Sequence, residues 1–531
     1  MWFKVWFCFC ACACLITVCY SQSCSDGARP MYPLYGSVNW VCEDITDHFP
    51  TSKANINSIT CLKCNIPVLD GNFIPSNFRG ATFNLSYSHV KKIQEDAFKS
   101  FTNTTHKFIF DNNEINYIGK KVFSNFSQLD EINLRNNKIS RLVAGVFDKT
   151  NVTLLDLSQN HVTDLTSMLN GLKVSMLNLS SNGIKELEVS ALDGVVIWTG
   201  RQWSPNKQSL DLSNNFLTLI KPNTFKFSKE DNTLRILHLQ KNMLTVIEND
   251  TFAQLNYLWH LSLERNSISQ LYRDSFRGLS SLRVLNIANN LLMDIPYGIF
   301  GNTRSLEQLD LSQNRLTTLS RSTFTGLSSL TKLNISHNYF QTIEDSHLLP
   351  LGKLSSLDVS DTRLHKFNLK QIMDHHFGLY TLVINDNFWT CSNLLQMYKL
   401  INRKRMTFSY PSRYFDVPNL HGVACSRQEL DSYDNLSFEN FLSIISQDPI
   451  IEDIFDDHLT NDSEMSVNTN MMQDVNRLSI MLTIVTVICV ILFVFCVVQY
   501  LFAFLRYGNF VKSDKFSFLY AQNQDKVELL P

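Results

Sequence analysis

From residue 56 to residue 390, apolar side chains recur at fixed offsets from a polar anchor. In "SLEQLDLSQNRL", residues 305–316, Leu306, Leu309, Leu311 and Leu316 bracket Asn314 in the order L-x-x-L-x-L-x-x-N-x-L. The same spacing places an Asn at 113, 137, 160, 182, 215, 242, 266, 290, 314, 338 and 387. Ser88 and Thr362 hold the anchor in two further units, and Cys64 holds it in a first one, where Ile56, Ile59, Cys61, Ile66 and Leu69 fill the apolar positions. Most intervals are 24 residues, a period that marks stacked repeats.

Each unit predicts one short strand. Leu309 and Leu311 are two apart, so both point inward, while Glu307, Asp310 and Ser312 do not share that core. Eight units carry Phe ten residues after the anchor (Phe98, Phe123, Phe147, Phe225, Phe252, Phe276, Phe300 and Phe324), which supplies a second inward row on the return side. One unit cannot bury its apolar face alone, but a stack makes a continuous core. An unpaired inward Asn amide would cost about 1–3 kcal/mol. Its side chain is therefore expected to bond backbone groups of its own turn and the next coil. Ser88 and Thr362 can supply fewer such bonds. Parallel strands about 4.8 Å apart would give a curved sheet roughly 60–70 Å long.

The period and the anchor resemble those of the extracellular leucine-rich repeat family, in its longer form. The resemblance implies an α/β solenoid, a horseshoe with disulfide caps at both ends. "NDNFWTC", Asn385–Cys391, followed by Cys425, is similar to the family's C-terminal cap. That similarity implies a Cys391–Cys425 bridge, with Trp389 covering the last coil; Asn393 stands where the family often has a second cysteine. The resulting division is an N-terminal cysteine cap at 24–64, repeats at 65–390 and a C-terminal cap at 391–427. At the first cap, Cys61 and Cys64 both occupy inward positions. Three residues apart on an extended strand, they are too distant for an easy mutual bridge. Each is expected to pair with Cys24 or Cys42. A zinc site or redox pair is the weaker reading, because there is no second C-x-x-C and no suitably spaced His.

The termini add a compartment. Lys4 and an apolar stretch to about Val18, with Ser21 and Ser23 behind it, predict a signal peptide at 1–23. Residues 478–505 carry no charge and exceed the roughly 20 residues a bilayer requires. A single transmembrane helix is expected at 477–505. Arg506, Lys512 and Lys515 follow it directly, so the positive-inside rule puts the tail, 506–531, in the cytoplasm. The chain is read as a plasma-membrane protein with its N-terminal side outside. Residues 428–476, with twelve acidic residues from 429 onward and no Lys or Arg before 477, read as an acidic, solvated stalk. "FENFLSIIS" within it has the makings of a helical turn. The tail is too short for a folded domain and lacks the intracellular signalling domain of Toll-type receptors, which the ectodomain resembles. Asp525, Leu529 and Leu530 form an acidic dileucine-like sorting pattern, and Tyr507 opens a tyrosine-based one. Nine N-x-S/T sequons precede the apolar run: Asn84, Asn103, Asn125, Asn151, Asn178, Asn249, Asn334, Asn435 and Asn461. Asn84, Asn178 and Asn334 project from the expected concave face.

A net charge of only −2 offers no basic field for nucleic acid, so none is expected as a partner. No HExxH, GxSxG, Walker-type loop or DxDxDG stretch appears. The chain is read as no enzyme, with no cofactor and no metal site; "DHH", Asp374–His376, is the nearest approach to a metal cluster. Outward positions six, four and two before each anchor are mostly stereotyped. His238, Gln240, His260 and Glu264 are less so, and they form one candidate ligand patch. The 33-residue interval between Asn182 and Asn215 adds Trp198, Arg201 and Trp203, residue types that favour either an interface or a fold back onto the convex side. The expected partner is an extracellular protein ligand or a cell-surface protein, with homophilic binding one option. The functional expectation is an adhesion molecule or a ligand-binding receptor subunit that signals through partners. The alternative is an innate-immune receptor or coreceptor for microbial ligands.

Overall fold

The computed structural model describes residues 37–42 and, short intervals apart, 55–447. The signal peptide, the apolar run 478–505, the tail with Asp525, Leu529 and Leu530, and sequons Asn103, Asn435 and Asn461 lie outside the described residues. So do Cys24, Arg201 and Trp203. Among the described residues no helix is long and apolar enough to cross a membrane.

One parallel sheet of 17 strands runs through the described chain, from Ser37–Cys42 and Asn55–Cys61 to Thr381–Val383 and Thr407–Phe408. Each repeat adds one strand beside the last, in fixed register. Leu237 pairs with Leu261, then Leu285, Leu309, Leu333, Leu357 and Leu382 in succession. These leucines are at most 2% exposed. Helices are few on the return side: most repeats turn back through irregular segments. The short helices Asp345–Leu348 and Leu369–His375 appear only late, before the cap helices Cys391–Lys404 and Phe438–Ile445.

The anchor side chains form a ladder, bonding their own turn as expected but reaching to the preceding coil rather than the next. Asn314 donates from Nδ2 to the carbonyls of Ile287 (3.1 Å) and Leu311 (3.0 Å), and its Oδ1 accepts from Leu292 N–H at 3.1 Å. Asn290 and Asn338 repeat the pattern in neighbouring coils. Ser88 makes a shorter reach, to Cys61 O at 2.9 Å, and Thr362 to Val359 O at 2.8 Å. The phenylalanines stack as a spine, with centroids 5.9 Å apart for Phe123–Phe147 and Phe225–Phe252 and 6.2 Å for Phe276–Phe300. The spine breaks between Phe147 and Phe225, where Leu169 and Leu192 are buried instead.

Both caps hold surprises. Cys61 and Cys64 are bonded to each other, with Cα atoms 5.9 Å apart, so the expectation that each pairs with Cys24 or Cys42 is wrong for both. The physical reason is that the strand ends at Cys61. The Cα separation of 5.9 Å falls in the range a bridge accepts. Cys42, fully buried, is itself disulfide-bonded. At the other end Cys391 and Cys425 are bonded, and Trp389 is fully buried with its indole N–H donating to Ile384 O at 2.7 Å. The cap also extends past residue 427. Phe438–Ile445 is a helix capped by Ser437, and its Phe441 and Ile445 pack on Phe388 and Ala424. This part of the expected solvated stalk is folded, because its apolar residues share one helical face.

Candidate functional site

The anchor rows account for most polar residues facing solvent from the sheet. Asp or Asn four places before the anchor accepts the backbone N–H two residues on: Asp211 from Ser213 at 2.8 Å, Asp310 from Ser312 at 2.9 Å, Asp358 from Ser360 at 3.0 Å. These are turn-closing bonds, and they explain why the residue type recurs. The sequon side chains Asn178 and Asn334 are also engaged, their Nδ2 donating to Asp156 and Asp310 on the preceding strands.

His238 interrupts that row. It stands on the strand Ile236–His238, and His260 opens the next strand, His260–Ser262, diagonally across on the same face. Their ring centroids are 5.6 Å apart. Burial, and then the nearby charge of His238, hold the His260 imidazole below its ordinary pKa. Gln240 and Glu264 continue the patch along these two strands. Glu264 is tied to Arg265 at 3.2 Å and accepts from Asn286 Nδ2 at 3.1 Å, whereas Gln240 Oε1 is buried with no hydrogen-bond partner. Trp198 follows the two-residue strand Val196–Ile197, which joins the same sheet beside Lys173 and Val174. Its carbonyl accepts from Ser175 Oγ at 2.8 Å, and its indole N–H is buried without a partner. The long interval thus places Trp198 on the sheet rather than on the return side.

A second set of residues lies one step before each strand, seven places before the anchors: Gln208, Arg235, Trp259, Arg283 and Glu307. The alternating outward positions alone pass over them; the signal was that in these five repeats the position carries no Asp or Ser. Arg235, Trp259, Arg283 and Glu307 line an open groove of about 590 Å³ along the leading edge of the sheet. Ser281, Ser305 and Ser329, nine places before their anchors, line it as well. Arg283 and Glu307 are paired at 3.4 Å.

Orphaned polar atoms mark the same stretch. Eleven buried side-chain N or O atoms among the described residues lack a hydrogen-bond partner, and seven of them fall between Trp198 and Trp259. They belong to Trp198, Gln208 (both amide atoms), Arg235, His238, Gln240 and Trp259. None falls between residues 260 and 344. A buried orphan costs about 1–3 kcal/mol, so a cluster of them needs a reason beyond folding.

Near the C-terminal cap another cavity, about 600 Å³, opens at the trailing edge of the sheet against the helix Phe438–Ile445. His337 Nδ1 and Asp361 Oδ2 meet there at 2.7 Å. That bond, with the charges of Asp361, Asp358 and Asp386, raises the His337 pKa against the opposing effect of burial. Arg363 lies 4.4 Å over the Tyr339 ring. In the DHH run, His376 is buried with Nδ1 3.1 Å from Leu351 O, and His375 meets Asp345 at 3.1 Å. Among the described residues no cluster of His, Cys, Asp and Glu could hold a metal ion.

Comparison with known proteins agrees with this architecture. The family profile described as leucine rich repeat matches residues 106–162, 232–292 and 294–364. The chain is 32% identical over 206 residues to Leucine-rich repeats and immunoglobulin-like domains protein 1 of Homo sapiens, covering 38% of this chain and 17% of that protein. It is 36% identical over 124 residues to Toll-like receptor 3 of Boselaphus tragocamelus, covering 20% and 14%. To Tsukushi of Xenopus tropicalis it is 28% identical, covering 42% and 60%. It spans less than a fifth of the length of the first two. Among solved structures, the APL1 leucine-rich repeat domain superposes with a TM-score of 0.53 at 19% identity, over 73% of this chain and 99% of that one. Toll in its glycosylated complex with Spatzle, from Drosophila, gives 0.53 at 19%, over 70% and 54%. The three matched segments are leucine-rich repeats, and an ectodomain of Toll type is consistent with these likenesses.

Proposed function

We propose that this protein is a cell-surface recognition protein, an adhesion molecule or ligand-binding receptor subunit whose sheet face binds a protein partner. The observation that carries this reading is the concentration of orphaned polar atoms between Trp198 and Trp259, beside the His238–His260 pair. Side chains that forgo their own hydrogen bonds are suited to meeting someone else's, and Trp and Arg are the residue types that anchor protein interfaces. Glycans on Asn84, Asn178 and Asn334 would flank this patch and leave it open. In this reading the apolar run 478–505 anchors the chain in the plasma membrane, the tail carries sorting signals, and the partner conveys the signal. The relatives are of receptor, adhesion and matrix kind, and the Toll–Spatzle complex is a protein–protein one. Toll-like receptor 3 among them keeps an innate-immune receptor or coreceptor as the second reading.

The test is a cell-clustering assay with the full-length chain and a variant carrying His238→Ala, Gln240→Ala, His260→Ala and Glu264→Ala. Clustering by wild-type cells, lost in a variant that reaches the surface equally, is the expected result. Clustering that the four substitutions leave unchanged removes the patch from the function. No clustering with any cell type turns the assignment towards a soluble ligand and the second reading.

A further inference from the structure

The groove at the leading edge has a chemistry of its own. Arg235 takes part in no ion pair and no side-chain hydrogen bond with another described residue. Its Nε is buried, and its terminal guanidinium nitrogens stay accessible in the groove wall. Arg283 and Glu307 neutralise each other at 3.4 Å, so the lining keeps one uncompensated positive charge. Trp259 is half-buried with its indole nitrogen turned inward, so the surface that it gives the groove is carbon. In the same lining the hydroxyls of Ser281, Ser305 and Ser329 bond no other described residue and recur once per repeat. One guanidinium, one aromatic carbon surface and a row of free hydroxyls together suit a ligand with a single carboxylate, a C–H face and many hydroxyls.

We propose that this groove is a binding site for an acidic saccharide, with the sugar carboxylate on Arg235, the ring face on Trp259 and ring hydroxyls on the serine row. Spacing favours a sugar over a peptide. The serines are one strand apart, about 4.8 Å, close to the advance of successive pyranose rings and unlike the roughly 3.3 Å per residue of an extended peptide. Charge favours a monoanionic sugar over a polysulfated one, because a second anion would meet Glu307. The inference stands on the groove alone and does not require the protein partner proposed above.

Saturation-transfer NMR and calorimetry on the purified full-length chain test it with four probes: 3′-sialyllactose, a glucuronate-containing disaccharide, lactose, and a hexaglutamate peptide. Binding of the sialylated or the glucuronate probe is expected, with lactose at least tenfold weaker; which acidic probe binds tells a sialic acid from a uronic acid. Arg235→Gln, which keeps the side chain polar, should weaken the acidic sugar at least tenfold and leave lactose unchanged. Ser305→Ala should weaken it several-fold, with thermal unfolding of both variants at the wild-type temperature. Absence of binding by either acidic sugar, binding that Arg235→Gln does not alter, or tighter binding of hexaglutamate at the same site would overturn the proposal. The sheet-face variant of the clustering assay leaves Arg235 intact, so the two readings fail separately.

Discussion

Asn314 and Gln208 are both buried amides, one at 4% and the other at 0% exposure, and they lead opposite lives. Asn314 donates to backbone carbonyls of its own coil and the preceding one, and its oxygen accepts a backbone N–H of the preceding coil. Gln208 bonds nothing with either amide atom. The contrast extends to their neighbourhoods. Among the described residues from 260 to 344 no buried side-chain polar atom is orphaned, and from 198 to 259 seven are. The regular coils show what this fold does with polar groups when stability alone is at stake. The irregular stretch shows a surface where that rule is suspended, which is where a binding site is to be sought.

The comparison can be broken by substitution. The largest effect is expected at the cap. Cys391→Ser with Cys425→Ser opens a bridge of sequence separation 34 and should destabilise the chain by about 3–4 kcal/mol in denaturant unfolding. Within the ladder, Asn314→Ala orphans Leu292 N–H and leaves Ile287 O and Leu311 O with one amide donor each, from Asn290 and Asn338, and should cost about 2 kcal/mol in the same measurement. Two histidines sharpen the comparison by sign, with smaller effects. His337 has a raised pKa, so its pairing with Asp361 stabilises the fold below the unfolded value of about 6.5. That contribution fades as pH rises through the folded value. His337→Gln should therefore lower the melting temperature at pH 6 and much less at pH 8. His260 has a lowered pKa, so its sign is reversed: stability is full above about pH 6.5 and declines as pH falls towards the folded value. His260→Gln should flatten that acid-side decline.

Much of this architecture was legible in the sequence because repetition exposes it. A position filled by Asn in eleven units and by Phe in eight announces its burial by periodicity alone. Trp389 and Cys391 were legible for a similar reason, since a motif closes the last coil. What stayed hidden lacked a repeat. The Cys61–Cys64 bridge depends on where one strand stops, which the apolar pattern leaves open by a residue or two. The helix Phe438–Ile445 was visible as a helical turn in "FENFLSIIS", but the acidic composition around it hid that its apolar stripe, Phe438, Phe441 and Ile445, packs on the cap. From Ser88 onward the residue before each anchor takes the left-handed region, with φ of 53° at Gln313, 52° at His337 and 57° at Lys241. Those residue types do not announce that conformation. The leading-edge row was overlooked because strand alternation draws attention to positions six, four and two before the anchor. Arg235 and Trp259 sit at seven.

The central claim is that the 198–259 stretch keeps polar groups unsatisfied in the isolated chain. Its most direct test is Gln208→Leu, a change of similar volume at a fully buried site. Followed by denaturant unfolding of the full-length chain, it should raise stability by about 1 kcal/mol, since it deletes two orphaned atoms and leaves none behind. A loss of stability instead would mean that the amide is satisfied within the folded chain, and the contrast with Asn314 would collapse.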